Sequence, residues 1–319
     1  MKRFALPSAI AALCLSVCAG SAAAQDTPPE PPPPADPQPE EPGLVWEKTW
    51  QAARTKGNAL NGYTILWVTA DKQANGEEAV STHRLLNSCW SVPQINQKIT
   101  PLFGCFRGTF DECKNAGAGQ QMTAAGVTAG PAIIIVDPSD GDVVDVLPGA
   151  AQFMEVLDLV DKVDRGLTRK GCELKLENKD RANDPELNLA YGQALVRAGD
   201  TDKARTHFAK SAKSPDLKQS VYSRIGIAVC DLKDRKFKDA IDKAGKIFEE
   251  LPPNAQEPRA ECLYIMTWAY YGLKELDDAS KNAEMLTTRY LRTTWGWKLL
   301  DDQADIGWDF VKKEKIDPK

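Results

Sequence analysis

Residues 126–141 read Gly126-Val127-Thr128-Ala129-Gly130-Pro131-Ala132-Ile133-Ile134-Ile135-Val136-Asp137-Pro138-Ser139-Asp140-Gly141. The run Ala132–Val136 is apolar, mostly β-branched and too short for a helix. It has Gly-Pro before it and an Asp-Pro-Ser-Asp-Gly turn after it. That combination predicts a central strand covered on both faces. The turn chemistry returns the chain as a hairpin, so residues 142–146 form the next strand. Moving toward the N-terminus, Pro101–Phe106 and Tyr63–Val68 are the other β-rich runs. Val45, Trp46, Trp50 and Ala53 fall at helical spacing and predict a helix ending near Lys56. A second helix carries Leu85 and Leu86, and the stretch Val92–Ile99 follows it. Toward the C-terminus, Phe153, Val156, Leu157 and Val160 share one face of a helix over residues 152–163.

Over residues 44–165 this order, α-β-α-β-(α)-β-β-α, resembles the thioredoxin fold. Residues 126–141 are similar to that family's loop, cis-proline, strand and turn. The resemblance implies that Pro131 is the cis-proline, although Gly130 precedes it where the family usually carries a larger residue. It also exposes a departure. The family's Cys-x-x-Cys follows the first central strand, where a helix N-terminus lowers one thiol's pKa and the second thiol resolves the mixed disulfide. Here that stretch, residues 69–77, contains no cysteine, and Cys89 comes only after the next helix. No catalytic residue carries over, and the domain is expected to be redox-inactive. The alternative is a thiol-disulfide oxidoreductase that uses a non-standard cysteine: Cys89, Cys105 or Cys113.

Strand signals stop near residue 165 and helical ones take over. Gly192 and Gly226 lie 34 residues apart, each inside an apolar helix, and 34 is the period of tetratricopeptide (TPR) hairpins. Ala204, Ala240 and Ala279 recur in the second halves, at spacings of 36 and 39. Residues 166–319 therefore resemble degenerate TPR repeats. Trp295, Trp297, Leu299, Leu300, Trp308, Phe310 and Val311 predict one further helix that caps the last repeat. In TPR proteins the inner helices line a concave groove. In the register set by Ala204 and Ala279 the resemblance places Gln193, Val196, Tyr264, Trp268 and Tyr271 there, and aromatic anchors dominate such interfaces.

The first 24 residues have a basic start (Lys2, Arg3), an apolar run from Phe4 to Val17, and Ala22-Ala23-Ala24 before Gln25. This is the layout of a secretory signal peptide. Leu15-Ser16-Val17-Cys18 resembles a lipoprotein signal with a poorly fitting Val17; lipidation of Cys18 would tether the protein to a membrane. Residues 25–43 hold nine prolines and read as a disordered Pro-rich linker. The expected location is the periplasm or cell envelope of a bacterium, or outside the cell.

With 40 Lys+Arg, 45 Asp+Glu and a net charge of −5 over 319 residues, nothing predicts nucleic-acid binding. Two histidines, His83 and His207, and scattered cysteines predict no metal site. No phosphate loop or other cofactor motif is present, so no cofactor is expected. Six cysteines follow the signal segment, and fifteen pairings are open to them. Cys105–Cys113 is the first choice because the chain could turn between them at Gly108; buried free thiols are the alternative. The expected fold is an α/β thioredoxin-like domain followed by an all-α TPR-like domain. The architecture is similar to the bacterial chaperedoxins, and it implies a non-catalytic scaffold whose partners are protein or peptide clients.

Overall fold

Thr49 opens the first helix: its hydroxyl accepts the Ala52 amide and caps helix α1, Trp50–Ala59. The structure, a computed structural model, describes residues 44–72 and 79–306 and the short backbone stretches 308–309 and 314–315. The expected signal segment with Cys18, the expected Pro-rich linker, residues 73–77 of the cysteine-free stretch, Phe310 and Val311 lie outside the described residues.

After α1 come β1 (Tyr63–Thr69), α2 (Val80–Leu85) with a π-helical turn over Leu86–Trp90, α3 (Pro93–Ile99) and β2 (Phe103–Thr109). Next are α4 (Phe110–Cys113), α5 (Gly119–Ala124), β3 (Ala132–Val136), β4 (Val143–Pro148) and α6 (Phe153–Asp164). The strands form one mixed sheet in the order β2-β1-β3-β4. β1 runs parallel to β2 and antiparallel to β3, and β3 and β4 make the expected hairpin.

Period-2 alternation gives the sheet two apolar faces. Ile65, Trp67, Ile133 and Ile135 pack with Ile95, Ile99, Val156 and Val160 from α3 and α6. Leu66, Val68, Ile134 and Val136 pack with Trp50, Ala53 and Met122 from α1 and α5. Trp46 lies before α1, not inside it. Its ring stacks on Trp67 and Trp90, with centroids 5.5 Å away in both cases, so aromatic packing holds it outside the helix.

From residue 169 the chain is helical: α7 (Arg169–Leu176), α8 (Pro185–Arg197), α9 (Thr201–Ser211), α10 (Leu217–Lys233), α11 (Phe237–Glu250), α12 (Gln256–Leu273), α13 (Leu276–Arg289) and α14 (Thr294–Ile306). The 34-residue glycine spacing has a packing cause. A Cβ at Gly192 would lie 2.7 Å from the Phe208 ring, and one at Gly226 would lie 2.5 Å from the same ring. Two glycines on α8 and α10 thus let one phenyl group from α9 fill the space between them. Ala204, Ala240 and Ala279 are fully buried where helices approach closely. The last helix stops at Ile306 and not beyond Val311, because residues 308–309 pair with 314–315. No described helix is long and apolar enough to cross a membrane.

From Leu44 on the described residues form one compact unit, and the sheet and the helical hairpins pack directly on each other. Arg197 of α8 donates to both carboxylate oxygens of Asp145 on β4, at 2.9 and 2.8 Å, with Asp145 almost wholly buried. Lys298 of α14 donates to the Ala150 carbonyl at 3.0 Å and lies 3.3 Å from Glu155 of α6. Asp301 of α14 accepts from Gln152 and pairs with Arg84.

Candidate functional site

Five helices turn one face each toward a shared cavity of about 960 Å³. On α12 the contributing residues are Glu257, Glu261, Tyr264, Ile265 and Trp268, the spacing of a single helical stripe. α10 supplies Tyr222, Gly226, Val229 and Lys233; α8 supplies Leu189, Gln193 and Val196; α14 supplies Trp295 and Lys298. The fifth wall is α6, which belongs to the α/β half and contributes Met154, Glu155, Asp158 and Lys162. A helix of the α/β half therefore forms one side of this cavity.

Of the five residues assigned to a groove from sequence, Gln193, Val196, Tyr264 and Trp268 line this cavity. Tyr271 does not. It packs edge-on against Trp268, centroids 5.5 Å apart. Tyr264 stacks on Trp295 at 5.0 Å and donates its hydroxyl proton to Asp302. Burial and that carboxylate raise the Tyr264 pKa well above the ordinary phenol value.

The charges in the cavity are unequally served. Lys162 donates to Asp158 at 2.5 Å and to Gln193 at 2.8 Å; burial nevertheless pulls its pKa down. Lys298 is held by Glu155 and the Ala150 carbonyl. Arg165 pairs with Glu186, and Arg197 with Asp145. Glu257 accepts from the Thr294 amide, at 3.1 Å, and from the Thr294 side chain, yet burial raises its pKa. No hydrogen bond or ion pair reaches Glu261 among the described residues. Burial first, and then the nearby charges of Glu155 and Glu257, push its carboxyl up to about 8 against the partial opposition of Lys162. The sequence gave no signal for this pair, since two glutamates four apart on an amphipathic helix ordinarily face solvent.

Pro131 does follow a cis peptide bond. Gly130 fits there because a Cβ would run into the Thr69 carbonyl oxygen on the neighbouring strand. A smaller pocket of about 310 Å³ lies beside this turn, between Gly126–Pro131 and the α8–α9 corner at Gly199.

The expected Cys105–Cys113 disulfide is not formed: both are free thiols. Cys105 packs in the core on the α3/α6 face of the sheet and Cys113 in the core on the α1/α5 face, so the sheet itself separates them. Cys89, Cys105 and Cys113 are buried, and desolvation pushes each thiol up to about 12. Cys172, Cys230 and Cys262 are also buried and free.

Comparison with protein-family models, with curated proteins and with solved structures finds no match to this chain.

Proposed function

We propose that this chain is an exported, non-catalytic binding scaffold of chaperone-like type, built from a redox-inactive thioredoxin-like domain and TPR-like repeats. Its clients are protein segments that enter the cavity between α6 and the inner helices. The observation that carries the reading is the convergence of Gln193, Val196, Tyr264 and Trp268 on one aromatic-walled cavity of about 960 Å³. That volume lies within the range of sites that enclose ligands. The exposed Met154 stands on its lining and offers apolar surface to an entering segment. An oxidoreductase built on Cys89, Cys105 or Cys113 is less well supported, because a thiol with a pKa near 12 supplies almost no thiolate at neutral pH.

The test is suppression of aggregation of a thermally unfolded model enzyme by the full chain, with and without Trp268→Ala. The half-buried Trp268 touches Tyr264 and Tyr271 through edge contacts. Its loss should weaken suppression several-fold while the helical circular dichroism is retained. Unchanged suppression by a folded Trp268→Ala chain would remove the cavity from the function.

A further inference from the structure

We propose that the cavity selects client segments in which a lysine or arginine side chain is flanked by apolar residues, with Glu261 and Glu257 receiving the cation. This rests on the binding reading above and adds the chemistry of the occupant.

Charge complementarity carries it. Every cation on the inner walls that comes near the glutamates already has a partner: Lys162 is held by Asp158 and Gln193, and Lys298 by Glu155. Lys233 is exposed, and its charged neighbour on the cavity wall is Lys298, not either glutamate. Lys218 and Lys233 also line the cavity, but beside Glu257 and Glu261 the unsatisfied charge is acidic. Glu261 is half-buried on α12, lines the cavity, and lies beside Glu155 and Lys162 of α6 and Glu257 of its own helix. A buried carboxyl without a partner carries a large desolvation cost, and an incoming ammonium or guanidinium relieves it.

The walls around the pair suit the rest of such a side chain. Tyr222, Tyr264 and Trp268 line the same space as Glu261 and Glu257. Aromatic faces attract cations and cover the methylene stem of a long basic side chain. A negatively charged segment is disfavoured by the same glutamates. The Pro-rich stretch 26–42, with five acids and no base, therefore fails as the occupant.

The test uses full-length protein and fluorescence anisotropy of labelled peptides. One peptide has a central lysine between leucines and phenylalanines, a second has norleucine at that position, and a third has acetyl-lysine. The lysine peptide should bind at least tenfold more tightly than the other two. Glu261→Gln should abolish that difference; Glu257→Gln should reduce it. The lysine preference should also grow between pH 6 and pH 9. The titratable groups beside Glu261 are Glu155 and Lys162 from α6, Glu257 from α12 and Tyr222 from α10; Asp158, Lys218, Lys233 and Lys298 line the same cavity, and Asp302 holds the Tyr264 hydroxyl. Glu261, pushed up to about 8, ionises inside that window. Equal binding of the three peptides, or a lysine preference that survives in Glu257→Gln/Glu261→Gln, would overturn this inference and leave the binding scaffold standing. Binding of none of the peptides would overturn both.

Discussion

Replacing Glu261 by Gln should make this protein more stable at alkaline pH, and the size of the gain follows from the cavity. The Glu261 carboxyl is pushed from 4.5 up to about 8 by burial and by Glu155 and Glu257. The folded chain therefore holds a proton that the unfolded chain gives up above pH 4.5. Wherever the native state binds more protons than the unfolded state, stability falls as pH rises. The loss runs from about pH 4.5 to about pH 8 and then levels off. At roughly 1.36 kcal/mol per unit the full displacement corresponds to about 4–5 kcal/mol. Water in the cavity, and sharing of the proton with Glu257 and Glu155, reduce this to about 2–3 kcal/mol. Glutamine keeps the shape and cannot ionise. Urea denaturation followed by circular dichroism should give equal stabilities for the two proteins at pH 4. Glu261→Gln should be ahead by about 2 kcal/mol at pH 9, with the gap opening between those limits. A gap that stays within about 0.5 kcal/mol across the whole range would mean that water fully solvates Glu261, and the reasoning from the cavity would fail.

Asp145→Ala leaves Arg197 buried without its carboxylate and should cost about 3–5 kcal/mol in urea denaturation, while Asp145→Leu/Arg197→Met should recover most of it. Loss of stability no greater than that of an exposed pair, about 1 kcal/mol or less, would show that this contact does not join the two halves. Gly226→Ala drives a methyl group into the Phe208 ring from one side and should destabilise by about 1–3 kcal/mol; Phe208→Leu in the same chain should relieve part of the cost. Cys89, Cys105 and Cys113 should resist maleimide at pH 8 until the chain is unfolded, because burial holds their thiols near pKa 12. Rapid labelling of any of the three in folded protein contradicts that burial, and mass spectrometry of labelled peptides gives the count.

The central strand was legible because Ala132–Val136 is continuous, β-branched and bounded by turn residues, a pattern that few other arrangements satisfy. The helical half was legible through its small residues, and the structure gives the reason: Gly192 and Gly226 clasp one ring, and Ala204, Ala240 and Ala279 sit at close helix crossings. Errors came where tertiary packing decided against local pattern. Trp46 has helical spacing from Trp50 but is drawn away to Trp67 and Trp90. Cys105 and Cys113 are near in sequence, yet β2 and the turn into α4 deliver them to opposite faces of the sheet. Within the site, helical period found four liners on α8 and α12: Gln193, Val196, Tyr264 and Trp268. It could not find the wall made by α6, because periodicity identifies a helix's apolar face without saying what a distant segment lays over its polar one.

The polar face is where the functional content lies. Had α6 been absent, Glu257 and Glu261 would be two hydrated carboxylates at almost no energetic cost. With α6 in place, the same residues are enclosed beside Glu155, and the lysine that α6 brings is committed to Asp158 and Gln193. Selection for stability alone would favour glutamine or an ion pair at residue 261. A desolvated, unpartnered carboxyl facing an aromatic-walled cavity is instead the expected form of a site that waits for a cation, because the energy withheld from folding becomes available when the ligand arrives. On this view Glu261→Gln has opposite effects in the two assays: the folded chain gains stability at high pH, and the preference for lysine-bearing segments disappears. A variant that gained stability and kept the preference would separate the two effects and leave the acid pair without a function.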